Sequence, residues 1–287
     1  LNRNYSFPFA RHLPFATVLT DYGCPYNCPF CLYSALGFKL RELDNVFKEL
    51  RCIHDLGVRE LFIKDQSFAT DKERAIKLCK GLREIGPFSW TCFLRADIAD
   101  ERILGEMKNS GCHTVMFGVE SANEKILREY KPGIKKSNIR QAFRLCRNLG
   151  IDTVGIFILG FPGEDRQSCL ETIDFALELN CDFASFNIFV PKVETLMKKE
   201  MTAGHFTDDA GCGLLDQSGI ISAWHNELMD GSGLPGLRRY ALRKFYLRPA
   251  YIMRRIIRSI VSVTELKILF KSGIFIIRDL FAAKSLK

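Results

Sequence analysis

Phe15-Ala-Thr-Val-Leu-Thr-Asp21 leads directly into Cys24-Pro-Tyr-Asn-Cys28-Pro-Phe-Cys31, an apolar β-like stretch feeding a loop with three cysteines in eight residues. Three thiolates so spaced can hold three irons of a 4Fe–4S cluster and leave the fourth iron without a protein ligand. Structural metal sites usually close with four protein ligands, whereas catalytic ones keep a position open. The competing reading is a zinc knuckle or ferredoxin-like site completed from elsewhere in the chain. Its nearest candidates, Cys52 and His54, fall in an expected helix with no second C-x2-C beside them.

Outward from this loop, short apolar runs alternate with amphipathic stretches. The runs are Phe15–Asp21, Glu60–Asp65, Trp90–Ala96, Thr114–Glu120, Thr153–Gly160 and Phe183–Val190. Their β-branched and aromatic content is that of strands buried on both faces. Helices are expected from Leu43 to just before Gly57, over Asp71–Ile85, up to Gly111, and over Ser137–Leu149 and Asp165–Leu179. The repeat is that of a βα unit with right-handed crossovers. Six units predict an α/β fold, a partial (β/α)6 barrel. The polar residues that interrupt the runs gather at their ends: the cysteine loop, Asp65-Gln66-Ser67, Arg95 with Asp97, Glu120-Ser121, and Gly160-Phe-Pro-Gly-Glu164. In a βα barrel these ends share one face, which carries the active site.

The net charge of +8 is unevenly placed. Between Gly236 and Lys287 lie 13 Lys or Arg against Glu265 and Asp279, so the tail is strongly basic and the rest near neutral. The expected organisation is residues 1–14 as a linker or the remnant of an upstream domain, 15–195 as the barrel, 196–235 as an irregular connection and 236–287 as a basic helical extension. In that extension a helix should start at Leu237, break at Arg248-Pro249 and restart, with Ser262 and Glu265 capping a last helix. The tail suits packing on the barrel first and an anionic membrane surface second; no nucleic-acid partner is expected. Eleven cysteines, most scattered singly, and no signal peptide point to a reducing cytoplasm. No apolar run approaches the ~20 residues of a membrane span. The five histidines read as surface or core residues, and no P-loop or dinucleotide-binding glycine fingerprint occurs.

The C-x3-C-x2-C motif with Phe30 before the last cysteine resembles the radical S-adenosylmethionine (SAM) superfamily. With Thr20-Asp-Tyr-Gly-Cys24, Asp65-Gln-Ser-Phe68, GFPGE (160–164) and Phe245-Tyr-Leu-Arg-Pro249, it looks like the cobalamin-associated branch, whose members usually carry a cobalamin domain ahead of the barrel. The resemblance implies that Cys24, Cys28 and Cys31 hold a 4Fe–4S cluster. It also implies reductive cleavage of SAM to methionine and a 5′-deoxyadenosyl radical that abstracts hydrogen from a small organic substrate. A flavodoxin or ferredoxin would donate the electron. With cobalamin on a domain absent from this chain, the implied outcome is methyl transfer or oxidative modification of an apolar, tetrapyrrole- or terpenoid-like substrate.

For SAM, the resemblance implies contacts at Phe30 (adenine), Asp65 (near the methionine amino group), Arg95, Gly118, Glu120 and Ser121 (the G-x-E-S pattern), Gly160 (close backbone approach) and Glu164. Each has a structural alternative. Phe30 can pack on the barrel rim, Asp65 can cap a helix, Glu120 can pair with Arg95, and Glu164 can face a helix N-terminus. Pro191-Lys-Val-Glu-Thr195 departs from the family's usual glycine-containing turn. The rival functions are an iron–sulfur electron carrier or sensor on the same loop, and a basic membrane-binding module on a degenerate barrel.

Overall fold

In the computed structural model, described for residues 9–190 and 233–261 with isolated positions beyond, six strands form one parallel sheet. They are β1 (Phe15–Val18), β4 (Glu60–Ile63), β5 (Ser89–Leu94), β6 (Cys112–Glu120), β7 (Asp152–Leu159) and β8 (Phe183–Ile188), and they neighbour one another in that order. Helices α1 (Leu43–Asp55), α2 (Lys72–Ile85), α3 (Glu101–Asn109), α5 (Lys136–Asn148) and α6 (Arg166–Leu179) return the chain between them. The result is the partial (β/α) barrel expected.

Local chemistry sets the helix starts. Asp71, Asp100 and Asp165 are N-caps whose carboxylates accept from the backbone N–H of Arg74, Ile103 and Ser168. The strands pack on both faces. Leu61, Ile63, Cys92, Val115, Phe117 and Phe157 belong to the large core with the helices. Alternate residues Met116, Val154 and Phe183, with Phe62, Phe93 and Ile156, form a separate apolar cluster. Period-two alternation assigns this second set to the opposite, concave face of the sheet. Phe9 joins it, its ring 5.7 Å from that of Phe183.

Three features differ from the sequence expectation. Strand one ends at Val18, because Thr20 and Asp21 are pulled onto the Asp65 carboxylate. Asp21–Gly23 (β2) then pairs antiparallel with Phe38–Leu40 (β3) as a separate ribbon. A seven-residue helix, α4 (Glu124–Tyr130), follows β6. Helix α7 runs Gly233–Tyr246, starting before the boundary expected at Gly236, while α8 starts at Pro249 as expected and runs to Val261. The expected features at 191–195, most of the 196–235 connection and the cap at Ser262 and Glu265 lie outside the described residues.

Helix α7 shields the last strand. The Tyr246 hydroxyl donates to Ala184 O at 2.8 Å and accepts from Ala184 N at 3.0 Å, satisfying both backbone groups on an edge strand. Among the described residues, part of the tail's charge is paired with the barrel: Lys244 with Asp174 at the surface, and Arg258 with Asp152 and Asp182. That is the packing arrangement placed first from the sequence. Of the histidines, His113 is a core residue, its Nε2 2.9 Å from Glu60 Oε1 at the N-terminal end of the strands. Burial holds its pKa down, against the pull of Glu60.

Candidate active site

The cysteine loop is clamped at both ends by the β2–β3 ribbon. Gly23 has φ +74°, and a Cβ there would lie 1.6 Å from the Gly37 carbonyl oxygen, so only glycine allows the ribbon to close. Cys24 N donates to Gly37 O at 3.2 Å and Cys31 N to Cys28 O at 2.9 Å. The Ser34 hydroxyl donates to Cys31 O at 2.7 Å. The backbone of the loop is thus fixed independently of its thiols.

All three cysteines line one pocket of about 160 Å³ at the C-terminal ends of the strands. Phe30, Gln66, Ser67, Arg95, Gly118, Glu120 and Lys131 share it, and Phe93, Met116 and Ile156 reach it from the concave face. Burial pushes the Cys28 thiol up to about 11 and raises Cys24, while Lys131 and Arg95 pull Cys28 the other way. A thiolate-ligated cluster needs such cations to offset its charge. Among the described residues no three His, Cys, Asp or Glu side chains form a group that could hold a metal ion. Cys52 and His54 sit at the C-terminal end of α1, which leads into the start of β4 and hence the opposite end of the barrel. A zinc knuckle completed by them is therefore not formed. The three-thiol loop, its cations and the buried Ser67 hydroxyl, which has no hydrogen-bond partner among the described residues, suit a larger anionic group with polar substituents.

Glu120 stands on a distorted strand end. The β6–β7 register slips between Gly118 and Glu120, and Glu120 takes φ +64°, an uncommon conformation for a residue with a side chain. Its Oε1 accepts from Lys131 Nζ at 2.7 Å, and Lys131 also donates to Gly118 O at 2.5 Å. Both side chains are over nine-tenths buried. A Cβ on Gly118 would fall 2.3 Å from Glu120 Oε1 and 2.4 Å from Lys131 Nζ, so the glycine of the G-x-E-S pattern makes room for this ion pair.

The partner of Glu120 is thus Lys131, not Arg95. Arg95 instead makes two hydrogen bonds to Asp97, at 3.1 and 2.9 Å, and donates to Pro132 O at 3.2 Å, while its guanidinium lies 3.7 Å from the centroid of the Tyr26 ring. Burial lowers its pKa but Asp97 outweighs it, leaving Arg95 above its usual value. Lys131 escaped the sequence reading. It ends the unforeseen helix α4 before Pro-Gly, where a lysine ordinarily reads as a solvated turn residue.

Four of the expected contacts serve the frame of the pocket. Asp65 accepts from Thr20 N at 2.6 Å and Thr20 Oγ1 at 2.5 Å, tying the end of β1 to the loop after β4. Glu164 accepts from Gly160 N and Phe161 N, both at 3.0 Å, and from the Ser121 hydroxyl at 2.8 Å. It is a fully buried strut between the β6 and β7 ends, just ahead of the N-terminus of α6. Ser121 is occupied by that bond and by Thr172. Gly160, at φ +86°, is approached by the Leu234 side chain of α7. None of the four lines the pocket. Phe30 borders the pocket and also packs edge-on against Phe161 at 5.4 Å.

The described residues thus form a partial parallel barrel whose three-cysteine loop shares one pocket with a buried Glu–Lys pair. Residues 18–176 match the Radical SAM superfamily. The chain belongs to that superfamily, whose chemistry depends on SAM and a 4Fe–4S cluster. It is 32% identical over 271 residues to an uncharacterized methyltransferase of Pyrococcus horikoshii, covering 88% of this chain and 58% of that protein. With the cytidylyl-2-hydroxyethylphosphonate methyltransferase of Streptomyces wedmorensis it shares 28% identity over 216 residues, 71% of this chain and 40% of the relative. The chain therefore spans roughly half the length of these relatives. The fold resembles the radical SAM methyltransferase TsrM of Kitasatospora setae, solved with cobalamin and a [4Fe–4S] cluster (TM-score 0.60, 21% identity, 65% of this chain and 36% of that one).

Proposed function

We propose that this chain is the catalytic barrel of a radical SAM methyltransferase of the cobalamin-associated branch. The observation that carries the reading is the convergence of Cys24, Cys28 and Cys31 with Phe30, Glu120 and Lys131 on one pocket. An electron carrier needs the thiols but has no use for a buried acid–base pair and an aromatic face beside them.

In this reading the three thiolates hold the cluster, and Phe30 offers its face to adenine. When bound, the cluster supplies the electron that cleaves SAM to methionine and a 5′-deoxyadenosyl radical. Glu120, held by Lys131, presents its second carboxylate oxygen to a cationic or hydroxyl group of SAM. Arg95 and Lys131 favour anionic groups, the thiolates among them. Asp65, Ser121, Gly160 and Glu164 act at one remove, fixing the loops that carry the contacts. The apolar inner-face residues Phe93, Met116 and Ile156 exclude water from the radical.

Methyl transfer, rather than another radical outcome, is supported by the names of both relatives. Cobalamin would come from a domain outside these residues, the electron from a small reduced carrier, and the setting would be the cytoplasm. The test is anaerobic: reconstitute the cluster, add SAM and dithionite, and follow 5′-deoxyadenosine and SAM binding. Formation of 5′-deoxyadenosine by the wild-type chain, lost in Cys28→Ala, is expected. A stable four-iron cluster that neither binds nor cleaves SAM would return the chain to the electron-carrier reading.

A further inference from the structure

Helix α8 has the reverse polarity of an ordinary surface helix. Its arginines face the barrel. Arg258 Nη1 donates to Asp152 Oδ1 at 2.8 Å and Asp182 Oδ1 at 2.9 Å, Arg254 Nη2 donates to Cys181 O at 3.1 Å, and the Arg255 guanidinium lies 4.7 Å from the Phe183 ring centroid. The outward face is apolar. Ile252, Met253, Ile257 and Ile260 are 40, 56, 59 and 79% exposed, a stripe at helical spacing, and Leu266 and Phe270 beyond it are exposed as well. Single exposed apolar residues need no explanation, but a contiguous stripe does.

The surrounding charge indicates what covers it. No acidic residue occurs between Gly236 and Thr264. Arg243 on α7 is exposed, and Lys267, Lys271, Arg278, Lys284 and Lys287 follow α8 against only Glu265 and Asp279. An exposed apolar stripe within a strongly basic stretch of sequence is the pattern of a helix lying in the headgroup region of an anionic bilayer. A second copy docking stripe to stripe would instead bring two strongly basic segments together, which electrostatics opposes. Among the described residues no helix is long and apolar enough to cross a membrane, so α8 would lie on the surface.

We infer that the outer face of α8 docks on an anionic membrane surface. Ile252, Met253, Ile257 and Ile260 enter the headgroup–acyl boundary, and the net positive charge of the sequence from Gly236 onward draws the helix to an anionic surface. The inward arginine pairs fix the helix on the barrel, so membrane contact orients the whole domain. This rests on the geometry of α8 and is independent of the reading of the pocket.

Co-sedimentation of the 287-residue chain with phosphatidylglycerol/phosphatidylcholine vesicles and with pure phosphatidylcholine vesicles tests it. Binding to the anionic vesicles is expected, falling as salt rises, and Ile257→Glu/Ile260→Glu should lower partitioning by roughly tenfold or more. Because both positions face solvent, melting temperature should hold. Ile260→Trp supplies a second readout: a fluorescence blue shift with anionic vesicles only. The inference is overturned if the wild type ignores anionic vesicles at low salt, or if the double glutamate variant binds as well as the wild type. It is equally overturned if that variant abolishes a concentration-dependent dimer in a chain that does not bind lipid.

Discussion

The Glu120–Lys131 pair can be weighed by a double-mutant cycle. Its atoms are 2.7 Å apart and both side chains are over nine-tenths buried, so water and salt screen the interaction little. Lys131→Met removes the cation and leaves Glu120 buried beside the acceptor-only carbonyl of Gly118. Removing one partner of a buried pair costs about 3–5 kcal/mol. Glu120→Gln keeps the shape and one acceptor for Lys131 and should cost less. Because each single change strands the other group, the double variant should be more stable than the two losses added together, by about 2–3 kcal/mol. Urea unfolding of the four proteins under anaerobic conditions measures this coupling. Calorimetric titration with SAM adds a second axis: both single variants should bind roughly ten- to a hundredfold more weakly, as expected for a lost charge-assisted hydrogen bond, with iron content retained. Additivity within about 0.5 kcal/mol, or undiminished SAM affinity in both singles, would refute the argument that Lys131 holds Glu120 for the cofactor.

Cys28→Ala should lose the reconstituted cluster, whereas Cys146→Ala, a fully buried core substitution, should keep about four irons; equal iron loss in both would sink the ligand assignment. Glu164→Ala leaves the N–H groups of Gly160 and Phe161 without their acceptor and should lower stability by about 2–4 kcal/mol, read by denaturant midpoint, with cluster assembly intact. Burial, reinforced by the Asp65 charge and opposed by Arg74, raises Asp21 from 3.8 to about 7. Between those values the folded chain keeps a proton that the unfolded chain has shed, so this group's contribution to stability falls as pH rises through that window. Asp21→Asn should remove the slope, gaining roughly 1–2 kcal/mol over wild type at pH 8 after allowance for partial solvation and converging with it near pH 4; a constant difference between the two unfolding curves across that range would argue against it.

The barrel was readable because its evidence is repetitive. Six apolar runs at βα spacing and the amphipathic stretches between them each state the same architecture, and an error in one leaves the others standing. What escaped was short or non-local. β2 and β3 have three residues each and no apolar periodicity, and their pairing depends on Gly23 meeting Gly37 across the cysteine loop. Nothing near Lys131 in the chain indicates that its ammonium turns back eleven residues to Glu120. Arg95 was offered to Glu120 as the nearest cation on a neighbouring strand, but Asp97, two residues away, reaches it with two hydrogen bonds at lower cost in side-chain order.

The same contrast separates the carboxylates at the mouth. Asp65, Glu120 and Glu164 look alike in sequence, each polar at the end of an apolar strand. Asp65 is held by Thr20 and Asp21 at the end of β1, and Glu164 by Gly160, Phe161 and the Ser121 hydroxyl, and burial still raises both pKa values despite those bonds. A carboxylate so enclosed can fix a loop, but it has no free face for a ligand. Glu120 differs in kind: it takes a left-handed backbone turn, it pairs with the Lys131 ammonium, and it opens on the cysteine pocket. Backbone strain is kept only where surrounding contacts enforce it. Here the enforcing contacts are the β6 bulge and Lys131, which hold the carboxylate against the pocket with the cysteines. The carboxylate that faces the pocket is therefore the one whose own backbone is least comfortable.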